Sequence, residues 1–289
     1  MREEVPTVKE ASLDDAGDTN GVIALPTGAN LAFEVRGASH VDTPALLIRP
    51  LAGSMALWGE FRDVLAASMR VIAYDPRGVG NSSPAPLDVT TRDMARDAVS
   101  VLDALGVSQA HVFGISLGAM VATWLAIDAP GRVARLCLAC AGPVGFALTP
   151  SGLVRGAEMA TAVLAPEDEV VARLAEAVLS DEVREHDPER VEAVEAAAAG
   201  DHGRPLEIVK LAAAAARHDA RAALLHVTAP TLVLAAERDA LIGTEPPEAL
   251  ARSIRDARFE VIAEAGHDLT LEKAQETARR VYAFFHEGR

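Results

Sequence analysis

The chain has 289 residues, enough for one large α/β domain or for one domain carrying an insertion. Half of it is apolar and only 4% is aromatic, so Leu, Val, Ile and Ala must build the core. A formal net charge of −15 argues against nucleic acid and anionic membrane surfaces as partners, because both require clustered Lys and Arg.

Residues 1–20, "MREEVPTVKEASLDDAGDTN", are polar and acidic with no apolar h-region, and read as a mobile tail rather than a signal peptide. "GVIAL" (21–25) and "LAFEVRG" (31–37) flank the turn signal "PTGAN" and predict an antiparallel hairpin. "PALLIRP" (44–50) is a continuous apolar run, the pattern of a strand buried on both faces. A helix follows over 54–67, then a strand in "MRVIAYDP" (69–76), a Gly/Pro-rich loop and a helix over 90–105. The strand "AHVFGIS" comes next, with a helix from Leu117 and a strand over 133–141. This β-α-β-α rhythm predicts a mostly parallel sheet with helices on both faces.

The rhythm breaks over 145–226, where Ala- and Glu-rich helical patterns replace strands. It resumes with the strand "APTLVLAAERD" (229–239), a helix over 245–255, the strand "ARFEVIAEAG" (257–266) and a terminal helix from about 270. The core is therefore expected to comprise 21–144 and 227–289, with 145–226 as a helical cap over the carboxyl ends of the strands. No apolar run approaches transmembrane length, and the expected location is cytoplasmic.

Cys137 and Cys140 form C-x-x-C inside an apolar strand pattern. Period-two alternation would point the thiols to opposite faces, which predicts reduced core thiols rather than a redox pair.

The chemistry centres on Gly114-Ile115-Ser116-Leu117-Gly118, a G-x-S-x-G that follows a strand and opens a helix. That context is a nucleophile elbow: small residues at −2 and +2 let the serine stand exposed on a strained turn. The Leu117 N–H, at the helix amino terminus, faces the same space. A serine hydroxyl needs a base, and the base needs an orienting carboxylate, in the chain order Ser, acid, His. His267 in "AEAGHDLTLE" follows a late strand, and Asp239 ends the strand before it. Asp268 and Glu237 are alternative acids.

"YDPRGVGNSS" (74–83), "HVFGISLGAMVA", "TLVLAAERD" and "EAGHD" together resemble the α/β-hydrolase superfamily, over essentially all of 21–286. Within it the chain is most similar to 3-oxoadipate enol-lactonase-like proteins and small-ester hydrolases. The resemblance implies a mostly parallel eight-stranded sheet with a cap. It makes Ser116 the nucleophile, Asp239 the acid and His267 the general base, with no cofactor and no metal. It implies cleavage of a small-molecule ester or lactone through an acyl-enzyme. Other chemistries of the superfamily stay open: perhydrolase, lyase or C–C cleavage, biosynthetic cyclase, or a ligand receptor on the same scaffold.

One departure stands out. Where the family usually has His-Gly after its third strand, this chain has Arg49-Pro50. The register set by Trp58 makes Leu51 the second oxyanion donor. Arg49 either binds a substrate carboxylate or pairs with a structural acid. Trp58, Met120, Phe146 and Met159 are candidates for an apolar pocket lining, with core packing as the competing role. Asp75 and Arg77 are expected to hold their turn, and His111, His186 and His202 to be structural or solvated.

Overall fold

The computed structural model describes residues 18–37, 43–51, 53–145, 173, 177–199 and 205–288. One eight-stranded sheet runs in the order β1-β2-β4-β3-β5-β6-β7-β8. Its strands are β1 (Thr19–Ala24), β2 (Asn30–Arg36), β3 (Ala45–Ile48), β4 (Val71–Tyr74), β5 (Ala110–Ile115), β6 (Val133–Ala139), β7 (Thr231–Ala236) and β8 (Ala257–Ile262). β2 pairs antiparallel to both β1 and β4, and every other pairing is parallel. The parallel strands β3 to β7 are apolar and almost wholly buried, as expected where helices cover both faces.

Each face has its own core. On one side α2 (Thr91–Ala104) and α3 (Leu117–Asp128) cover Leu46, Ile72, Val112 and Leu138. On the other, α1 (Gly59–Ala66) and a C-terminal helix cover Leu47, Phe113, Cys137 and Leu234. α2 starts on a reciprocal capping box between Thr90 and Asp93, which satisfies two otherwise orphaned N–H groups.

The sequence predicts one helix over 54–67. The structure divides it into a 3₁₀ turn, Met55–Trp58, and α1, with Gly59 at the junction at a φ of 38°. Between β6 and β7 the described chain forms α4 (Asp181–His186), α5 (Pro188–Ala199), α6 (Pro205–Ala216) and a 3₁₀ turn, Arg221–His226. The two ends of this stretch lie side by side. Val144 bridges Asp219, the Gly145 N–H donates to the His218 carbonyl, and the Ala220 N–H donates to Pro143. α6 is clamped to the loop after β4: Lys210 Nζ donates to the Ala85 carbonyl at 2.8 Å and to Glu207 at 2.7 Å, while the Ala85 N–H donates to Glu207 at 2.8 Å. After β7 come α7 (Glu245–Ser253), then α8 (Leu269–Glu272) and α9 (Ala274–Phe285) beyond β8. No helix among the described residues is long and apolar enough to cross a membrane.

The cysteines require one correction. Both are free and fully buried, but they do not follow strand alternation. Cys140 lies one residue past β6 at a φ of 51°, and this reversal brings it into the same core as Cys137. Burial pushes both thiols well above their ordinary range.

Candidate active site

Ser116 sits between β5 and α3 with φ 55° and ψ −120°, a region that L-residues rarely occupy. The flanking glycines make this turn possible. A Cβ on Gly114 would collide with the Gly118 carbonyl, and one on Gly118 with the carbonyls of Ile48 and Arg49. The elbow is thus wedged between its own helix and the end of β3.

His267 and Asp239 converge on Ser116 from the loops after β8 and β7. His267 Nε2 lies 2.9 Å from Ser116 Oγ, and Nδ1 lies 2.8 Å from Asp239 Oδ2. The other Asp239 oxygen accepts from the N–H groups of Leu241 and Ile242, at 2.9 and 2.8 Å. Burial raises the Asp239 pKa, but the imidazole charge and these donors overcome it and hold the carboxyl below its ordinary value. Burial works the other way on His267, and the adjacent Asp239 carboxylate overcomes it, raising the imidazole above its ordinary value. The ring is therefore held with Nδ1–H toward Asp239 and the Nε2 lone pair toward the serine.

The Leu117 N–H, in the first turn of α3, has no acceptor inside its helix. The Leu51 N–H has no hydrogen-bond partner among the described residues. Both belong to the ends of β3 and β5, neighbouring parallel strands.

Other expected positions fall elsewhere. Arg49 is not open to a pocket: its side chain is 1% exposed and Nη2 pairs with Asp268 Oδ2 at 3.0 Å. Asp268 is therefore Arg49's partner and not the histidine's orienting acid. The other alternative acid, Glu237, accepts the Glu264 N–H at 2.8 Å. Trp58 is fully buried against Phe61 and Phe113, with the Arg49 guanidinium 4.6 Å above its ring, so it packs the core. Met120 is buried within the α3 side of the core. Phe146, Met159 and His202 lie outside the described residues. Asp75 holds its turn as expected, accepting from the N–H groups of Met55 and Asn81, and Arg77 forks onto Asp97. His111 is buried and stacked on Phe285, and His186 is exposed at the end of α4.

Two features gave no signal in the sequence. Cys140 sulfur, an Asp239 oxygen and a His267 nitrogen lie within 4.8 Å of one another. A metal ion held there would displace the Asp239–His267 hydrogen bond that orients the ring, so the arrangement favours the hydrogen-bonded triad. The second is Glu272, a buried carboxylate behind the histidine loop. It accepts from the Gly266 N–H at 2.9 Å, from Ser180 Oγ at 3.0 Å and from the Ser180 N–H. The Asp268 N–H donates to the Val178 carbonyl, and Arg190 donates to the carbonyls of Leu271 and Glu272. The loop carrying His267 is thus fastened to the chain leading into α4 and α5.

Comparison with known proteins agrees with this architecture. The family model described as the alpha/beta hydrolase fold matches residues 46–274. The chain belongs to the α/β-hydrolase family. A relative from Variovorax paradoxus (strain S110), provisionally named carbamate hydrolase RutD, is 35% identical over 243 residues, covering 82% of this chain and 89% of its own. Among solved structures, a hydrolase from Pseudomonas aeruginosa PA01 superposes with a TM-score of 0.82 at 30% identity, covering 93% of this chain and 98% of that one. The enol-lactonase from Burkholderia xenovorans LB400 shares the fold, with a TM-score of 0.79 at 21% identity, covering 92% of this chain and 100% of that one.

Proposed function

We propose that this α/β-hydrolase cleaves a small carboxylic ester or lactone through an acyl-enzyme on Ser116. The observation that carries the reading is the unbroken hydrogen-bond chain Ser116 Oγ–His267–Asp239, with contacts of 2.9 and 2.8 Å, at the tip of a strained elbow. His267 Nε2 takes the Oγ proton as Oγ attacks the substrate carbonyl carbon. The resulting oxyanion lies between the N–H groups of Leu117 and Leu51. When the tetrahedral intermediate collapses, the bond to the alkoxide breaks and His267 returns the proton to the departing oxygen. Water, deprotonated by the same nitrogen, then attacks the acyl carbon and frees Ser116. Asp239 holds the tautomer and stabilises the imidazolium formed in each half. The stretch 145–226 acts as a cap that bounds the acyl pocket.

The test is a panel of esters and lactones of graded size and charge, run in ¹⁸O-labelled water, together with a fluorophosphonate probe. The reading requires stoichiometric labelling at Ser116 and ¹⁸O in the acid product. Near-full hydrolysis by Ser116→Ala would overturn it. The relative named for carbamate hydrolysis favours a second reading, in which the acyl group is a carbamoyl. Small carbamates in the same panel separate the two by kcat/KM.

A further inference from the structure

Arg49 touches three parts of the site at once. Its backbone carbonyl, with that of Ile48, packs against Gly118 of the elbow. Its side chain crosses to Asp268, the residue after His267, and Nη1 donates to Thr270 Oγ1 at 3.2 Å. Between these ends the loop carrying Leu51 folds over the guanidinium. The Gly53 N–H donates to the Pro50 carbonyl, and a Cβ on Gly53 would lie 2.8 Å from Arg49 Nε. Asp268 is equally committed. Its second oxygen caps α8, accepting from the Thr270 N–H at 3.1 Å and from Thr270 Oγ1 at 2.5 Å.

We infer that Arg49 and Asp268 are positioning residues, their buried ion pair fixing the oxyanion-side loop after β3 against the loop that carries His267. Both side chains are at most 2% exposed, and such a pair pays a desolvation penalty that its attraction only roughly offsets. Stability alone therefore gives it little purpose. What the pair does is join segments 219 residues apart in the chain, one bearing the Leu51 N–H and the other the proposed general base. Preorganised catalysis depends on that separation, and displacement by about 1 Å costs on the order of 10²-fold in rate.

The pair also sets the charge beside the imidazole. His267 is faced by Asp239 from the β7 loop, Ser116 from the elbow, Cys140 from the end of β6 and Asp268 on its own loop, with Glu272 behind Gly266. Asp268 adds to the upward pull on the imidazole pKa, and Arg49 neutralises Asp268. Removing either partner therefore moves His267 in opposite directions.

The inference rests on the proposed Ser116–His267 mechanism, and its test can fail separately from that mechanism. The full chain is prepared as wild type, R49K, R49M, D268N, S116A and the neutral double variant R49M/D268N. The His267 Nδ1–H resonance is titrated by NMR, which needs no turnover, and kcat and KM are measured on the best ester. R49M is expected to raise the His267 pKa and D268N to lower it. R49M and the double variant are expected to lower kcat by about 10–100-fold with KM nearly unchanged. R49K, which keeps the charge, should recover part of kcat. The double variant removes both charges together, so it leaves no uncompensated buried charge, as each single change does. Wild-type kcat in the folded double variant, or a His267 titration unmoved in D268N, would overturn the inference. Retained hydrolysis by S116A would instead overturn the mechanism beneath it.

Discussion

Gly118 lies so close to the Ile48 carbonyl that no side chain fits between the elbow and the end of β3. Because backbone blocks the space, no rotamer change relieves the clash. Gly118→Ala is expected to push α3 away from β3, costing about 1–3 kcal/mol of stability. It should lower kcat/KM by about 10²-fold or more, since Ser116 and Leu117 move with the helix. Urea unfolding and ester turnover on the same preparation check both numbers.

The positive φ of Ser116 predicts a split between stability and activity. Ser116→Gly relieves the backbone strain and should stabilise the protein by about 1 kcal/mol. Ser116→Ala keeps a Cβ and the strain, so its stability should stay near wild type. Both variants should lose at least about 10³-fold in kcat. Thermal melts of the two, side by side, isolate the backbone contribution.

The pH–rate profile follows from His267. Its folded pKa is raised by Asp239, and in the proposed mechanism the neutral ring is the base. The acid limb of kcat/KM should therefore rise through a midpoint above the ordinary histidine value of about 6.5. Asp239→Asn should abolish most activity and remove that upward shift. The protonated ring stabilises the fold below the unfolded-state pKa, and this contribution is lost as pH rises through the folded value.

His218 has the opposite sign. Burial pushes its pKa down to about 4, and Nδ1 lies 2.9 Å from Thr91 Oγ1. Between about 6.5 and 4 the unfolded chain binds a proton that the folded chain does not. Stability should fall across that window as pH drops, by at most about 3 kcal/mol. His218→Gln should flatten the loss, as read from urea midpoints at a series of pH values.

The clamp on Ala85 gives a test of how α6 is held. Lys210→Met would leave Glu207 buried without its cation, at a cost of about 3 kcal/mol. Protease cleavage near α6 should then precede global unfolding, visible as an early fragment by mass spectrometry.

The sheet and the convergence of Asp239 and His267 on Ser116 were legible in the sequence because both are written locally. Continuous apolar runs mark buried parallel strands, and G-x-S-x-G between strand and helix fixes the elbow within five residues. Asp239 and His267 were legible because each lies in the loop after a strand of that sheet. Arg49 was harder: the choice between substrate and structural acid depended on Asp268, and no periodicity links positions 219 apart. The Glu272–Ser180 contact was invisible for the same reason, since a buried carboxylate at the end of a short helix looks like a solvated one. Trp58 stayed open between pocket lining and core packing, because a large aromatic suits either. In the fold its ring is buried against Phe61 and Phe113, in tilted and edge-on contacts.

The Glu272 contacts bear on redesign. Swapping everything from 145 to 226 for a relative's insertion, in order to change substrate range, would delete Ser180, Val178 and Arg190 together. Those residues tether the loop that carries His267. A chimera cut that way would loosen the loop that places His267 beside Ser116. Any such exchange has to keep Val178, Ser180 and Arg190 if the contacts behind His267 are to survive.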